Sequence, residues 1–274
     1  MHKFIHVLEH SLFDSLKLMP FLFVSFIIME WVEHKFNNKK KLQKINKFGP
    51  LAGATLGLIP QCGFSVVAST FYSARVITLG TLFSIYLATS DEMLPILIAN
   101  KTDVGIIVKI LFIKFILGLL FGILVDIIYR TKLCDNKIND ICEEEHCHCD
   151  DSIVKSSFIH TIKVFLFVFI VNVLLNFIID IDVLTNFVNN NKIFSPIITS
   201  LIGLIPNCAS SILITELYIE NIISFGSCIS GLLTGSGLGL LILFKQNKNL
   251  KENILILVIL VIFSSICGIV LNFI

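Results

Sequence analysis

Charge is what this chain has least of. Asp, Glu, Lys and Arg supply 15% of its 274 residues and leave a formal net charge of +1, so it offers no basic surface of the kind a nucleic acid needs. The same shortage excludes a water-soluble domain: 55% of the residues are hydrophobic and the mean hydropathy is +0.88, the balance of an integral membrane protein. A small-residue cleavage site is missing behind the first apolar run, which holds Lys17, Pro20 and Glu30. That run is therefore expected to stay as a helix. The eight cysteines lack the spacing of a secreted disulfide framework: Cys62, Cys208, Cys228 and Cys267 sit in apolar segments, and Cys134, Cys142, Cys147 and Cys149 in one polar linker. Inside the apolar runs there is no paired His and carboxylate metal motif and no nucleophile with a nearby base, which argues against an enzyme.

What is there is length and repetition. Runs at 16–32, 105–128, 158–179 and 254–274 can each cross a hydrocarbon layer of roughly 30 Å as a helix. Around them the chain repeats itself. The stretch Gly57-Leu58-Ile59-Pro60-Gln61-Cys62-Gly63-Phe64-Ser65 returns as Gly203-Leu204-Ile205-Pro206-Asn207-Cys208-Ala209-Ser210-Ser211, 146 positions later. Laid together without a gap, 50–92 and 196–238 share thirteen identities in forty-three positions, two of them among the chain's six prolines. Composition alone does not align prolines, cysteines and glycines in one register. Duplicated units with broken helices at mid-membrane are a common way to build a transport site.

The segments on either side of Pro60 and Pro206 are too short to cross alone, leaving one kinked span or a re-entrant hairpin. Loop charge discriminates between the two. Six lysines crowd 35–47, so that loop is cytoplasmic by the positive-inside rule and the N-terminus is outside. Hairpins at both sites put fourteen basic residues inside and three outside, whereas crossing segments give eleven and six. The expected fold is all-α and polytopic: two inverted repeats, each with a Pro-broken re-entrant helical hairpin. Repeat 1 occupies 1–130, a cytoplasmic His/Cys/acid-rich linker 131–156, and repeat 2 157–274. Beyond the first apolar run, spans are expected at 76–98, 103–129, 157–181, 222–244 and 253–274, with the second hairpin at 195–218.

Thr89-Ser90-Asp91-Glu92-Met93-Leu94-Pro95 interrupts the span at 76–98. A charged residue at helix centre costs roughly 2.5 to 3.5 kcal/mol on insertion scales, so Asp91 and Glu92 call for a cation, a proton or a water cavity. The alternative is a wet loop near one face. The copy reads Thr234-Gly235-Ser236-Gly237-Leu238-Gly239, where glycines allow an unwound backbone facing a cavity. At the tips, Gln61 with Cys62 and Asn207 with Cys208 pair an amide with a thiol, and half-helix N-termini point positive dipole ends at the same place. The plainer alternative is that these residues turn the chain and the thiols pack. Packing is the expectation for Cys228 and Cys267. Glu30 is equivalent to Asn176, which shares a helix face with Asn172 and Asp180; interhelical hydrogen bonding and substrate contact both fit. Lys109, Lys114, Lys163 and Asp126 are read as snorkelling side chains, with Lys114 deep enough for a counter-ion. In the linker, Cys142, His146, Cys147, His148 and Cys149 alternate soft ligands among acids, in a spacing that matches no structural zinc module. Metal capture and a solvated connector are both open there.

Leu18-Met19-Pro20-Phe21-Leu22-Phe23, Met29-Glu30, Glu33-His34, the 57–65 string, Thr89 to Pro95 and Pro206 to Ser211 together resemble a bacterial membrane family of ten-segment heavy-metal exporters, also described as manganese transporters or arsenic efflux proteins. The resemblance covers nearly the whole chain. It implies efflux of a metal or metalloid by a multi-pass protein of the bacterial inner membrane, and the two inverted repeats add the expectation of alternating access. In that expectation Asp91 and Glu92 form the cation or proton-coupling site, Gln61, Cys62, Asn207 and Cys208 line the substrate path, and Ser90, Glu30 and Asn176 stand along it. The expected partners are membrane lipid and the ion itself, with no cofactor and with homo-oligomerisation left open. Two other readings stand beside it, a proton-coupled anion or small-organic permease and a non-transporting membrane metal sensor. The permease should tolerate serine at Cys62 and Cys208. A sensor should lose its function with the linker.

Overall fold

The computed structural model describes residues 48–59, 63–90, 93–129, 194–206 and 208–273, with isolated helical positions within 19–27 and 158–170. Ten bounded helices lie among the described residues: α1 (Gly49–Gly57), α2 (Gly63–Ser73), α3 (Leu79–Ala88), α4 (Met93–Ala99), α5 (Val104–Ile128), α6 (Ser195–Gly203), α7 (Cys208–Ile219), α8 (Phe225–Thr234), α9 (Gly239–Gln246) and α10 (Leu250–Asn272). No strand occurs among the described residues. Four stretches are long and apolar enough to cross a membrane: Leu79–Ala99, Val104–Ile128, Phe225–Gln246 and Leu250–Asn272. They fall within a few residues of four expected spans.

The start and stop signals of α1 to α5 return in α6 to α10, 146 positions on. Pro50 and Pro196 sit in the first turns of α1 and α6, where a missing N–H costs nothing. Thr78 and Ser224 cap α3 and α8, each accepting a hydrogen bond from the backbone N–H three residues on, at 3.2 Å; such caps contribute about 1 kcal/mol. Asp103 and Asn249 cap α5 and α10. The turns after α2 and α7 each need a left-handed residue, Arg75 at φ 60° and Asn221 at φ 58°. Asn adopts that region readily, whereas Arg pays about 1 to 2 kcal/mol for it.

Within each set, small residues let helices approach backbone to backbone. A Cβ added at Gly80 would lie 2.1 Å from Gly122 O, and one added at Gly226 would lie 2.1 Å from Gly268 O. Gly118 and Gly122 form a small-xxx-small stripe on α5, and Ser264 and Gly268 repeat it on α10, the packing device expected where lipid removes the hydrophobic drive. Polar groups add to both contacts. Asp126 accepts from Gly80 N–H at 2.8 Å and Asn272 accepts from Gly226 N–H at 3.0 Å.

Between the sets the partners cross over: α2 packs on α9, α7 packs on α4, and α3 meets α8. Phe121 of α5 joins the halves, edge-on to Phe83 at 5.3 Å between ring centres and stacked on Phe263 of α10 at 3.8 Å. The interrupted stretches are the inner ones, 69% and 89% buried, while the unbroken Val104–Ile128 and Leu250–Asn272 are 22% and 28% buried. Mean hydropathy follows the same division, 1.4 and 1.8 inside against 2.6 and 3.2 outside.

Candidate functional site

Helix ends carry unpaired backbone groups, and this fold gathers them at its centre. The C-terminal end of α1 lies against that of α3: Ser90 Oγ donates to Leu58 O at 2.8 Å, and a Cβ on Gly57 would be 2.8 Å from the Ala88 Cβ. The end of α6 lies against that of α8 in the same way, with Gly203 beside Gly231 O and Thr234 Oγ1. The start of α9 abuts the start of α2, since a Cβ on Gly239 would be 2.9 Å from Ser65. Gly235, just past α8, lies beside Ser211 near the start of α7. Gly237, at φ 53°, makes the turn between α8 and α9 in a conformation that glycine adopts freely.

Hydroxyls line these crossings. Ser69 Oγ is 2.7 Å from each of Ser65 O, Gly239 O and Tyr86 Oη. A serine has one proton to give, so Tyr86 donates to Ser69, which donates to one of the two carbonyls. Thr215 donates to Ser211 O at 2.7 Å, the matching bond in the second set. Ser90 and Ser236 occupy equivalent positions and both are buried, but Ser236 Oγ has no hydrogen-bond partner among the described residues.

One cation enters this centre from the side. Lys114, midway along α5, is 1% exposed, and its Nζ donates to Thr89 O at 2.5 Å and to Leu232 O at 2.6 Å. Thr89 is the C-cap of α3 and Leu232 lies in the last turn of α8. Both carbonyls are at negative dipole ends, which makes the burial of an ammonium tolerable. Cys228, one turn before Leu232, is within electrostatic reach of it.

A second polar cluster sits at the far end of α2. Arg75 pairs bidentately with Glu252 through Nη1 and Nη2, both at 2.6 Å. The Tyr72 hydroxyl donates to Glu252, and the guanidinium lies 5.0 Å over the Tyr72 ring. Hydrogen bonding to Glu252 pushes Arg75 further above its ordinary value, so it stays charged. The base of α2 is thereby tied to the start of α10.

A family model described as "Putative, 10TM heavy-metal exporter" matches residues 5–187 and 179–274. The chain belongs to that family. It is a multi-pass membrane protein of an exporter family. Searches of curated proteins and of solved structures each found no match.

Of the exporter residues expected from sequence, Ser90 is in the central junction. Cys208 opens α7 and is described by its backbone alone. Gln61, Cys62, Asp91, Glu92, Asn207, Glu30, Asn176 and the linker residues Cys142, His146, Cys147, His148 and Cys149 lie outside the described residues, as does Lys163. Among the described residues, no group of three or more His, Cys, Asp or Glu is placed to hold a metal. Cys228 is packed in the apolar core and Cys267 lies partly buried against it. Asp126 is corrected: it does not snorkel but caps α3, accepting from Thr78 Oγ1 at 2.7 Å as well as from Gly80 N–H, because a half-buried carboxylate finds the positive end of a helix nearer than water. Sequence reading missed Ser236, Arg75, Glu252 and the Ser69–Tyr86 pair. Ser236 was findable as the repeat partner of Ser90; the others carry no sequence signal for their contacts.

Proposed function

We propose that this chain exports a heavy-metal or metalloid ion across the bacterial cytoplasmic membrane by alternating access between two inverted halves. The observation that carries it is the meeting of broken helices from both halves around Ser90 and Lys114, in a chain of the exporter family. Two contacts support a hairpin over a crossing segment. Gly49, at the start of α1, lies against Thr81 at the start of α3, and Leu58 reaches Ser90 at the break, so the 49–78 stretch runs to the break and returns. Arg75 pairs with Glu252, although a crossing segment would put these two residues on opposite faces of the membrane.

In this proposal Asp91 and Glu92, directly after Ser90 in the chain, bind the ion or a coupling proton. Gln61 with Cys62, and Asn207 with Cys208, line its path from the two tips. Glu30 and Asn176 supply polar contacts from the first helix of each half, and the linker thiols and imidazoles capture metal in the cytoplasm. Acids and amides suit a hard ion such as manganese, whereas paired thiols suit zinc or trivalent arsenic. A second reading, a proton-coupled anion or small-organic permease, is favoured by one observation: the starts of α2 and α9 meet at the junction, and helix starts carry positive potential.

The test is efflux from cells loaded with manganese, zinc, copper or arsenite. Flux of at least one ion that stops with Asp91→Asn is the expected result. Flux of none of the four, or flux unaffected by both Asp91→Asn and Cys62→Ser, contradicts the proposal.

A further inference from the structure

Lys114 is expensive to bury, and packing does not require it. Its counterpart 146 positions on is Leu260, fully buried at the same place on α10, so this position of the scaffold is filled well by an apolar side chain. The first half carries an ammonium instead. Among its partners are two carbonyls, Thr89 O at 2.5 Å and Leu232 O at 2.6 Å. Each is at the C-terminal end of a broken helix, and the helices come from different halves. Carbonyl oxygens at helix ends are ligands for a cation. In the sequence, Asp91 and Glu92 follow Thr89 by two and three residues. A lysine is a compact point charge on a flexible stem that can leave a site without backbone movement.

We propose that Lys114 is a tethered competitor for the transported cation. Its ammonium occupies the cation position at the junction and ties α3 to α8. An arriving divalent cation displaces it and unties the halves; when the ion leaves, the ammonium returns. This rests on the export reading above and assigns to that site a resident counter-charge and a divalent substrate class.

Equilibrium binding of Mn²⁺ and Cd²⁺ to the purified full chain tests it. Lys114→Gln keeps a donor for the two carbonyls but removes the charge, Lys114→Leu copies the other half, and Lys114→Arg keeps the charge. The expected result is at least tenfold tighter binding in the Gln and Leu variants, with no gain in the Arg variant, and slower efflux from the two neutral variants as release becomes limiting. Weakened binding in all three, alongside lost thermal stability, makes Lys114 a structural brace and overturns the inference, as does unchanged affinity. A measurement on the unsubstituted protein keeps the question open to decision if the neutral variants do not fold. Saturating Mn²⁺ or Cd²⁺ should raise acylation of the Lys114 amine by a small permeant reagent, read by peptide mass spectrometry, and unchanged reactivity overturns the inference. If the unsubstituted chain binds neither ion but transports arsenite, the inference fails while export stands. If it binds and moves none of these probes, the export reading itself fails.

Discussion

The two halves share a scaffold and differ in charge. Both have a proline at the start of α1 or α6, a hydroxyl cap on the inner helix, a glycine pair between inner and outer helices, and a left-handed turn after α2 or α7. At equivalent positions, however, the first half has Arg75, Asp126, Lys114 and the acids after Ser90, where the second has Asn221, Asn272, Leu260 and a glycine turn. Packing was duplicated and kept, while at these particular positions the ionisable group stands in the first half; the reverse holds at Glu252, whose counterpart is Ile106. A buried charge is costly and its partners must be built around it, and the Lys114 ammonium at the junction takes one carbonyl from each half.

The largest expected effect tests the shared part. Gly80→Ala and Gly226→Ala each drive a methyl group to about 2.1 Å from a backbone carbonyl, an overpacking that costs about 3 kcal/mol or more where backbone must move. Both should abolish a monodisperse peak in fluorescence-detected size exclusion, and to the same degree. Tolerance in one half would break the equivalence. Next comes a feature of one half alone. Arg75→Ala leaves Glu252 without its bidentate partner and should cost about 1 to 3 kcal/mol in thermal unfolding, whereas Asn221→Ala should cost well under 1 kcal/mol beyond its left-handed backbone. A double-mutant cycle of Arg75→Ala with Glu252→Ala should recover most of the Arg75 loss, and additive losses would deny the pair.

Smaller still, Thr78→Ala and Ser224→Ala should each lower stability by about 1 kcal/mol, again equally. The smallest effect sharpens the comparison most. Asp126→Asn converts the first cap into the second, and Asn272 already accepts from Gly226 N–H, so the change should stay within about 0.5 kcal/mol. A large loss would mean that the carboxylate has work beyond capping.

How much of this was legible in the sequence depended on whether the signal was local. The helix bounds were readable because Pro50, Pro196, the 146-residue offset and the interruptions at 89–92 and 235–238 are all written along the chain. Ser90 could be chosen from its place in an interrupted apolar run. The partners of Lys114 could not, because both are backbone carbonyls, one of them 118 positions away, and a carbonyl has no letter of its own. Asp126 was misread for the same reason: its acceptor role depends on the N-terminus of α3, 46 positions back. Arg75 and Glu252 lie 177 positions apart, and nothing in either neighbourhood names the other. Ser236 sits between these extremes, since the repeat marks its position and only the fold reveals that it has no hydrogen-bond partner among the described residues.

The central claim is that one scaffold is used twice in opposite orientation around a centre charged once. Equivalent cysteines at positions 75 and 221 test it most directly, with a membrane-impermeant thiol reagent applied to intact cells and to opened ones and labelling read at each peptide by mass spectrometry. The expected result is that Asn221→Cys reacts in intact cells, while Arg75→Cys, like the native linker thiols, reacts only once the cytoplasmic face is exposed. Labelling of both positions from the same side would contradict inverted halves and, with them, the proposed alternation around a shared site.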